Sequence, residues 1–170
     1  MKQINFINSK EKKRILEELE NLYGISNLPY MLTEAGKKKI RAFSGTMNRE
    51  EIQELSEITN VEVIGIYLLS QKDDDLRINF DALPLLKNQI SKSTLEINEQ
   101  QFELWIRGND IELSAKSGTY IISYKGDLIG TGKSNGIKIF NYIPKERKLK
   151  TQMPRLNWCL FLYNFPVKLI

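Results

Sequence analysis

From Ile111 to Ile143 the sequence loses every trace of helical period. The runs IELSA, TYIISYK, LIGTGKS and IKIFNYI alternate in polarity and are separated by GND, KSG, KGD and SNG. Period two, broken at short intervals by glycine and asparagine, confines a chain to short strands. Strands of that length joined by tight turns close most readily into a small barrel.

Upstream the punctuation is different. Asn8 with Glu11, and Asn48 with Glu51, stand at capping-box spacing. Behind them Ile15, Leu16, Leu19 and Leu22, then Ile52, Leu55 and Ile58, recur at helical spacing, and Gly24 closes the first helix. Pro29–Leu32 and Lys39–Phe43 read as short strands joined by the tight turn EAGK. VEVIGIYLL reads as a buried strand, and LRINF (Leu76–Phe80) as its partner across the acidic turn Asp73–Asp75. LPLLKNQISKS ends this unit. Thr94–Ile97 follows as a strand, and Asn98 with Gln101 caps a third helix carrying Phe102, Trp105 and Ile106, which Gly108 stops. The expected class is α+β. A mixed α/β unit fills residues 1–92 and a small β-barrel fills 93–170, the barrel ending in an aromatic tail over 151–170.

Composition removes whole classes of chemistry. The chain has no histidine and one cysteine, Cys159. Imidazole bases, Ser–His and Cys–His nucleophiles and thiolate zinc cages are therefore out of reach. No catalytic residue, metal or cofactor is expected. The acidic Asp73–Asp75 reads as a solvated turn and Cys159 as a core hydrophobe. One cysteine forms no internal disulfide, which suits a reducing cytoplasm. The start MKQINFINSKEKK has no apolar run of a signal peptide, and no stretch reaches the roughly 18 apolar residues of a membrane span.

Charge is distributed unevenly. Residues 1–115 hold 15 Lys+Arg and 19 Asp+Glu, a net of −4; residues 116–170 hold 10 basic residues and two acids, Asp127 and Glu146, a net of +8. An acidic body with a basic end is the asymmetry of a chain whose far end meets a polyanion. A merely solubilising basic surface stays open beside it. The run Lys37–Lys39 with Arg41 has the same two readings, an extension of that basic track or lysines guarding a hairpin edge.

GTGKS (Gly130–Ser134) has the ending of a phosphate-binding loop. Such a loop needs a glycine five positions before Gly132 and a helix after the lysine. Position 127 is Asp127, and Ser134-Asn135-Gly136 followed by IKIF is a hairpin signal. A nucleotide site here is thus the weakest of the functional readings. As neighbours on one strand face, Gly130 and Gly132 present a patch without side chains. That patch serves either close approach of an RNA backbone or barrel closure. Lys133, Lys138, Lys145, Arg147, Lys148 and Lys150 surround it, with Tyr124, Phe140 and Tyr142 interleaved. Cations beside aromatics suit a sugar-phosphate backbone with unpaired bases.

The segment Leu128-Ile129-Gly130-Thr131-Gly132-Lys133 and the segment Asn141-Tyr142-Ile143-Pro144-Lys145-Glu146-Arg147-Lys148 together resemble PUA. More closely, they resemble the PUA-like domain of the Sun-type ribosomal RNA cytosine methyltransferases. FELWIRGNDI resembles the opening of that domain, and KEKKRILEELENLYGI with NFDA resembles a stand-alone archaeal family carrying it. The resemblance runs from about Asn5 to Lys150 and implies a PUA-like barrel that binds structured tRNA or rRNA without catalysis of its own. It implies Gly130, Gly132, Lys133, Asn141, Lys145 and Arg147 as the RNA-facing set, to which charge adds Lys138 and Lys148. For Asn141 and Pro144 a role in shaping the strand's exit stays open. The glycine loop and paired cysteines of a methyltransferase core are missing, so the implied role is an accessory module in RNA modification or ribosome assembly, partnered by RNA and an RNA-modifying enzyme. The tail TQMPRLNWCLFLYNFPVKLI departs from the family pattern. It reads as a last strand with a flap, or as the apolar site of a protein-interaction adaptor.

Overall fold

The computed structural model describes residues 4–149 apart from 35, 37, 62, 73 and 74. The aromatic tail 151–170, Lys150, Cys159, and parts of the EAGK and acidic turns lie outside the described residues, and with them the adaptor reading that rested on the tail.

All three asparagine caps form. Asn8 accepts the backbone N–H of Glu11 at the start of α1 (Ser9–Tyr23). Asn48 and Glu51 exchange bonds reciprocally at α2 (Arg49–Ile58), as do Asn98 and Gln101 at α4 (Glu99–Ile106). Each satisfies N–H groups that the first helical turn leaves without a partner.

Five antiparallel strands in sequence order make the first sheet: β1 (Asn5–Phe6), β2 (Met31–Glu34), β3 (Lys39–Phe43), β4 (Ile66–Lys72) and β5 (Asp75–Ile78). The expected strand VEVIGIYLL begins only at Ile66. Arg41 donates its Nε–H to the carbonyls of Ile64 and Gly65, at 3.3 and 3.0 Å, and so takes the acceptors a neighbouring strand would use. Gly65 itself sits at φ +73°, pressed against the Ala42 carbonyl where a side chain has no room. LRINF likewise stops at Ile78. Asn79 turns the chain by accepting the Asp81 N–H and starts a 3-10 turn over Phe80–Ala82, followed by the one-turn α3 (Leu83–Leu86).

The second sheet has the order β6-β8-β9-β10-β7, from β6 (Thr94–Glu96), β8 (Gly118–Tyr124), β9 (Asp127–Ser134), β10 (Lys138–Asn141) and β7 (Ile111–Glu112). It curls into a half-barrel with α4 packed on one face. β6 lies parallel to β8, a pairing that the intervening helix makes possible. Lys125 and Gly126 both take positive φ, the two-residue turn that matches strand twist between β8 and β9. The Asn-Gly turn after β9 is longer than that. Asn135 Oδ1 accepts the N–H groups of Ile137 and Lys138, and only Gly136 has positive φ.

This sheet is a partition between two cores. Ile121 and Leu128 pack into the first, which gathers Ile15, Leu19, Tyr23, Leu68 and Leu83, whereas the adjacent Ile122 and Ile129 pack into the second with Phe102, Trp105, Ile111 and Ile139. Consecutive strand residues point to opposite faces, so one strand serves both. Burying an isoleucine contributes about 1.5–3 kcal/mol, and Ile121 and Ile122 are both wholly buried. Polar ties cross the same seam: Lys87 to Asp127 at 3.1 Å, Arg147 to Asp81 at 2.7 Å and Ser93 Oγ to the Leu22 carbonyl at 2.7 Å.

Candidate nucleic-acid interface

Gly130 and Gly132 lie side by side on β9, as alternation demands, but they are not an open patch. Both are buried beneath the Trp105 indole of α4. A Cβ on Gly130 would stand 3.0 Å from Trp105 Nε1. One on Gly132 would stand 2.6–2.7 Å from Ile139 Cγ2, the Phe140 carbonyl oxygen and Trp105 Cη2 together. Trp105 is itself wholly buried and donates its indole N–H to the Ile129 carbonyl at 3.2 Å. The space that reads from sequence as room for a nucleic-acid backbone is filled from within, and of the two roles open for these glycines the packing role is the one the geometry carries.

Asn141 is equally committed. Its Nδ2 donates to the carbonyls of Trp105 (2.7 Å) and Asn109 (3.1 Å), and its Oδ1 accepts from the Ile143 N–H (2.8 Å). It thereby ties the exit of β10 to the end of α4, where carbonyls lack intrahelical partners. Asp110 completes the latch, accepting the Asn141 backbone N–H at 2.9 Å and Lys138 Nζ at 3.1 Å. The Asn141 N–H foremost, with Lys138 and the field of Lys148 assisting, holds the Asp110 carboxyl below its ordinary range despite slight desolvation.

GTGKS does not cradle a phosphate. Lys133 and Ser134 are strand residues, Ser134 Oγ donates to the Ala115 carbonyl and accepts the Gly136 N–H, and no helix follows directly among the described residues. The nucleotide reading loses both spacing and context.

The opposite face of β9 and β10 is another matter. Phe140 stands opposite Lys133, and Asn141 opposite Gly132. Lys133, Lys138 and Phe140 therefore share the face turned away from Trp105. Tyr142 continues that row, its N–H bonded to the Thr131 carbonyl. Lys138 Nζ lies 4.6 Å from the Phe140 ring centroid. The Arg77 guanidinium, from β5 in the other sheet, lies 4.1 Å from the centroid of Tyr142. All five side chains are half-buried. Beyond them Lys145 is exposed, in the 3-10 turn Lys145–Arg147, with no ion pair to any described residue.

The eight residues expected to face RNA thus divide. Gly130, Gly132 and Asn141 hold the fold together. Arg147 is spent on Asp81 across the seam, and Lys148 drapes its stem over Gly108 at the end of α4, where positive charge is favoured. Lys133 and Lys138 lie on the face turned away from Trp105, Lys138 shared with Asp110, and Lys145 is exposed in the turn beyond. Sequence reasoning missed Arg77. It lies 65 positions before Tyr142 and reads locally as a plain strand arginine.

Residues 92–149 match the family described as Methyltransferase RsmF PUA domain. Over 85 residues, 49% of the chain, it is 33% identical to the ribosomal RNA small subunit methyltransferase F of Aliivibrio fischeri. Over 152 residues, 85% of the chain, it is 26% identical to the protein of the same name from Shewanella piezotolerans. These alignments span 18% and 30% of the two relatives' lengths. Over this stretch the chain is similar to the PUA domain of a ribosomal RNA methyltransferase.

Proposed function

We propose that the chain binds RNA through the face of β9 and β10 turned away from Trp105 and the turn that follows, as a module serving modification of ribosomal RNA or assembly of the ribosome in the cytoplasm, with no catalysis of its own. One observation carries the reading: the segment similar to an RNA methyltransferase's PUA domain is the segment that sets Lys133 and Lys138 beside Phe140 and Tyr142 on one face, with Lys145 exposed in the turn that follows. Cations on neighbouring strands and the turn beyond them can meet successive phosphates of a nucleic-acid backbone. The resemblance to stand-alone PUA proteins extends this to a module that an RNA-modifying enzyme would use for targeting. Ribosomal RNA fits the names of the relatives, and transfer RNA offers the same backbone chemistry.

The test is salt dependence. With a fluorescent fragment of small-subunit ribosomal RNA, Lys133→Ala combined with Lys145→Ala weakens binding. It also flattens the plot of log affinity against log salt, by roughly 0.7–0.9 for each phosphate deprived of its cation. Unchanged affinity and slope would remove this face as the site.

A further inference from the structure

Arg77 is the least explained side chain on that face. It is half-buried, stacked on Tyr142, and its guanidinium makes no hydrogen bond or ion pair with any described residue. Arg147, by contrast, has Asp81, and Lys138 has Asp110. A guanidinium carries five donors in a rigid plane and stacks on aromatic faces. Positioned over Tyr142 with no carboxylate partner among the described residues, it has donors to offer a ligand.

Tyr142 and Phe140 are two residues apart on one side of an extended segment, so their Cα atoms stand roughly 6.8 Å apart. Bases in a continuous helical stack rise only about 3.4 Å each. Two neighbouring nucleotides can meet both rings only if they are splayed out of the stack, which a duplex forbids and a loop or strand end allows. The cations stand where a backbone would run past such bases: Lys133 across from Phe140, Arg77 over Tyr142 and Lys145 just beyond.

Resting on the RNA reading above, we infer that this face takes unpaired nucleotides, two bases engaging the Phe140 and Tyr142 rings, and that Arg77 from the N-terminal sheet is part of the site. The site then spans both sheets. The Arg147–Asp81 ion pair and the Lys87–Asp127 pair at 3.1 Å hold the seam on which its geometry depends.

The experiment compares an unstructured single-stranded RNA of twelve nucleotides with a blunt-ended RNA duplex of twelve base pairs, both by fluorescence anisotropy. The variants are Arg77→Lys, Phe140→Leu, Tyr142→Leu and Lys145→Ala. Wild type binds the single strand more tightly. Phe140→Leu and Tyr142→Leu each weaken it about 5- to 150-fold, the span of one base stack removed. Arg77→Lys keeps the charge and lies outside the buried cores, so it stays informative if a ring variant misfolds; it weakens binding with the salt slope unchanged. Lys145→Ala instead lowers the slope. Tighter binding of the duplex, or wild-type affinity in Arg77→Lys and both ring variants while Lys145→Ala still lowers the slope, overturns the unpaired-base site and leaves RNA binding standing. Wild type that binds neither RNA at low salt overturns both.

Discussion

Replacing Gly132 by alanine tests whether the glycine pair serves the core or a ligand. The added methyl would meet Ile139 Cγ2 at 2.6 Å and both the Phe140 carbonyl oxygen and Trp105 Cη2 at 2.7 Å. Real side chains essentially never approach that closely, and a β-ladder carbonyl cannot swing aside, so the indole must give way. Overpacking of this type costs about 1–3 kcal/mol. Displacing the indole also stretches its N–H bond to the Ile129 carbonyl, and a buried donor left without its acceptor costs about 1–3 kcal/mol more. A loss of about 2–6 kcal/mol follows, which for a chain of this length lowers Tm by roughly 4–24 °C. Thermal and urea unfolding followed by circular dichroism measures it. Trp105→Phe removes the ring edge that carries Cη2, so Gly132→Ala costs less in that background, and the double-mutant cycle reports coupling of about 0.5–3 kcal/mol. A Gly132→Ala protein within about 0.5 kcal/mol of wild type but unable to bind RNA would refute this reasoning and return the glycine to the ligand.

Asn141→Ala deletes three hydrogen bonds, each contributing about 1 kcal/mol net, so stability falls by about 2–3 kcal/mol while the folded fraction binds RNA as before; intact stability with weakened binding would put Asn141 in the site. Asp110 gives a pH test. Its carboxyl titrates below the usual value of about 3.9, so its contribution is present above that pH and is lost as pH falls through the lower, folded-state value. Asp110→Asn is therefore less stable than wild type at about pH 7, by about 0.2–1 kcal/mol for a pair this exposed, and acid titration of the two proteins shows the difference closing below about pH 4; a constant difference down to about pH 2 would show the charge to be irrelevant.

What could be read in advance follows the range of the forces involved. The caps at Asn8, Asn48 and Asn98 were legible because donor and acceptor lie three residues apart, and the β8–β9–β10 meander because each turn is local. The late start of β4 was not legible. It depends on an arginine in another strand capturing the carbonyls of Ile64 and Gly65, an interaction no window of sequence contains. The same holds for the site. The sign of charge around 133–148 is visible in the sequence, but which cations are already spent depends on Asp81 and Asp110. That Trp105 fills the space above Gly130 and Gly132 is a tertiary fact, and so is Arg77 over Tyr142.

The glycine pair has a further consequence for how the second sheet finds its alignment. A strand that slips by one residue normally throws its apolar side chains into water. β8 lacks that safeguard at its centre, because Ile121 and Ile122 are the same residue facing two cores, and a slip exchanges one for the other. β9 supplies what β8 does not. Shifted by one position, it would present Thr131 or Lys133 to the Trp105 indole where no Cβ fits. Gly130 and Gly132 thus work as teeth of a key, admitting one alignment of the sheet and so fixing which side chains of β10 face outward.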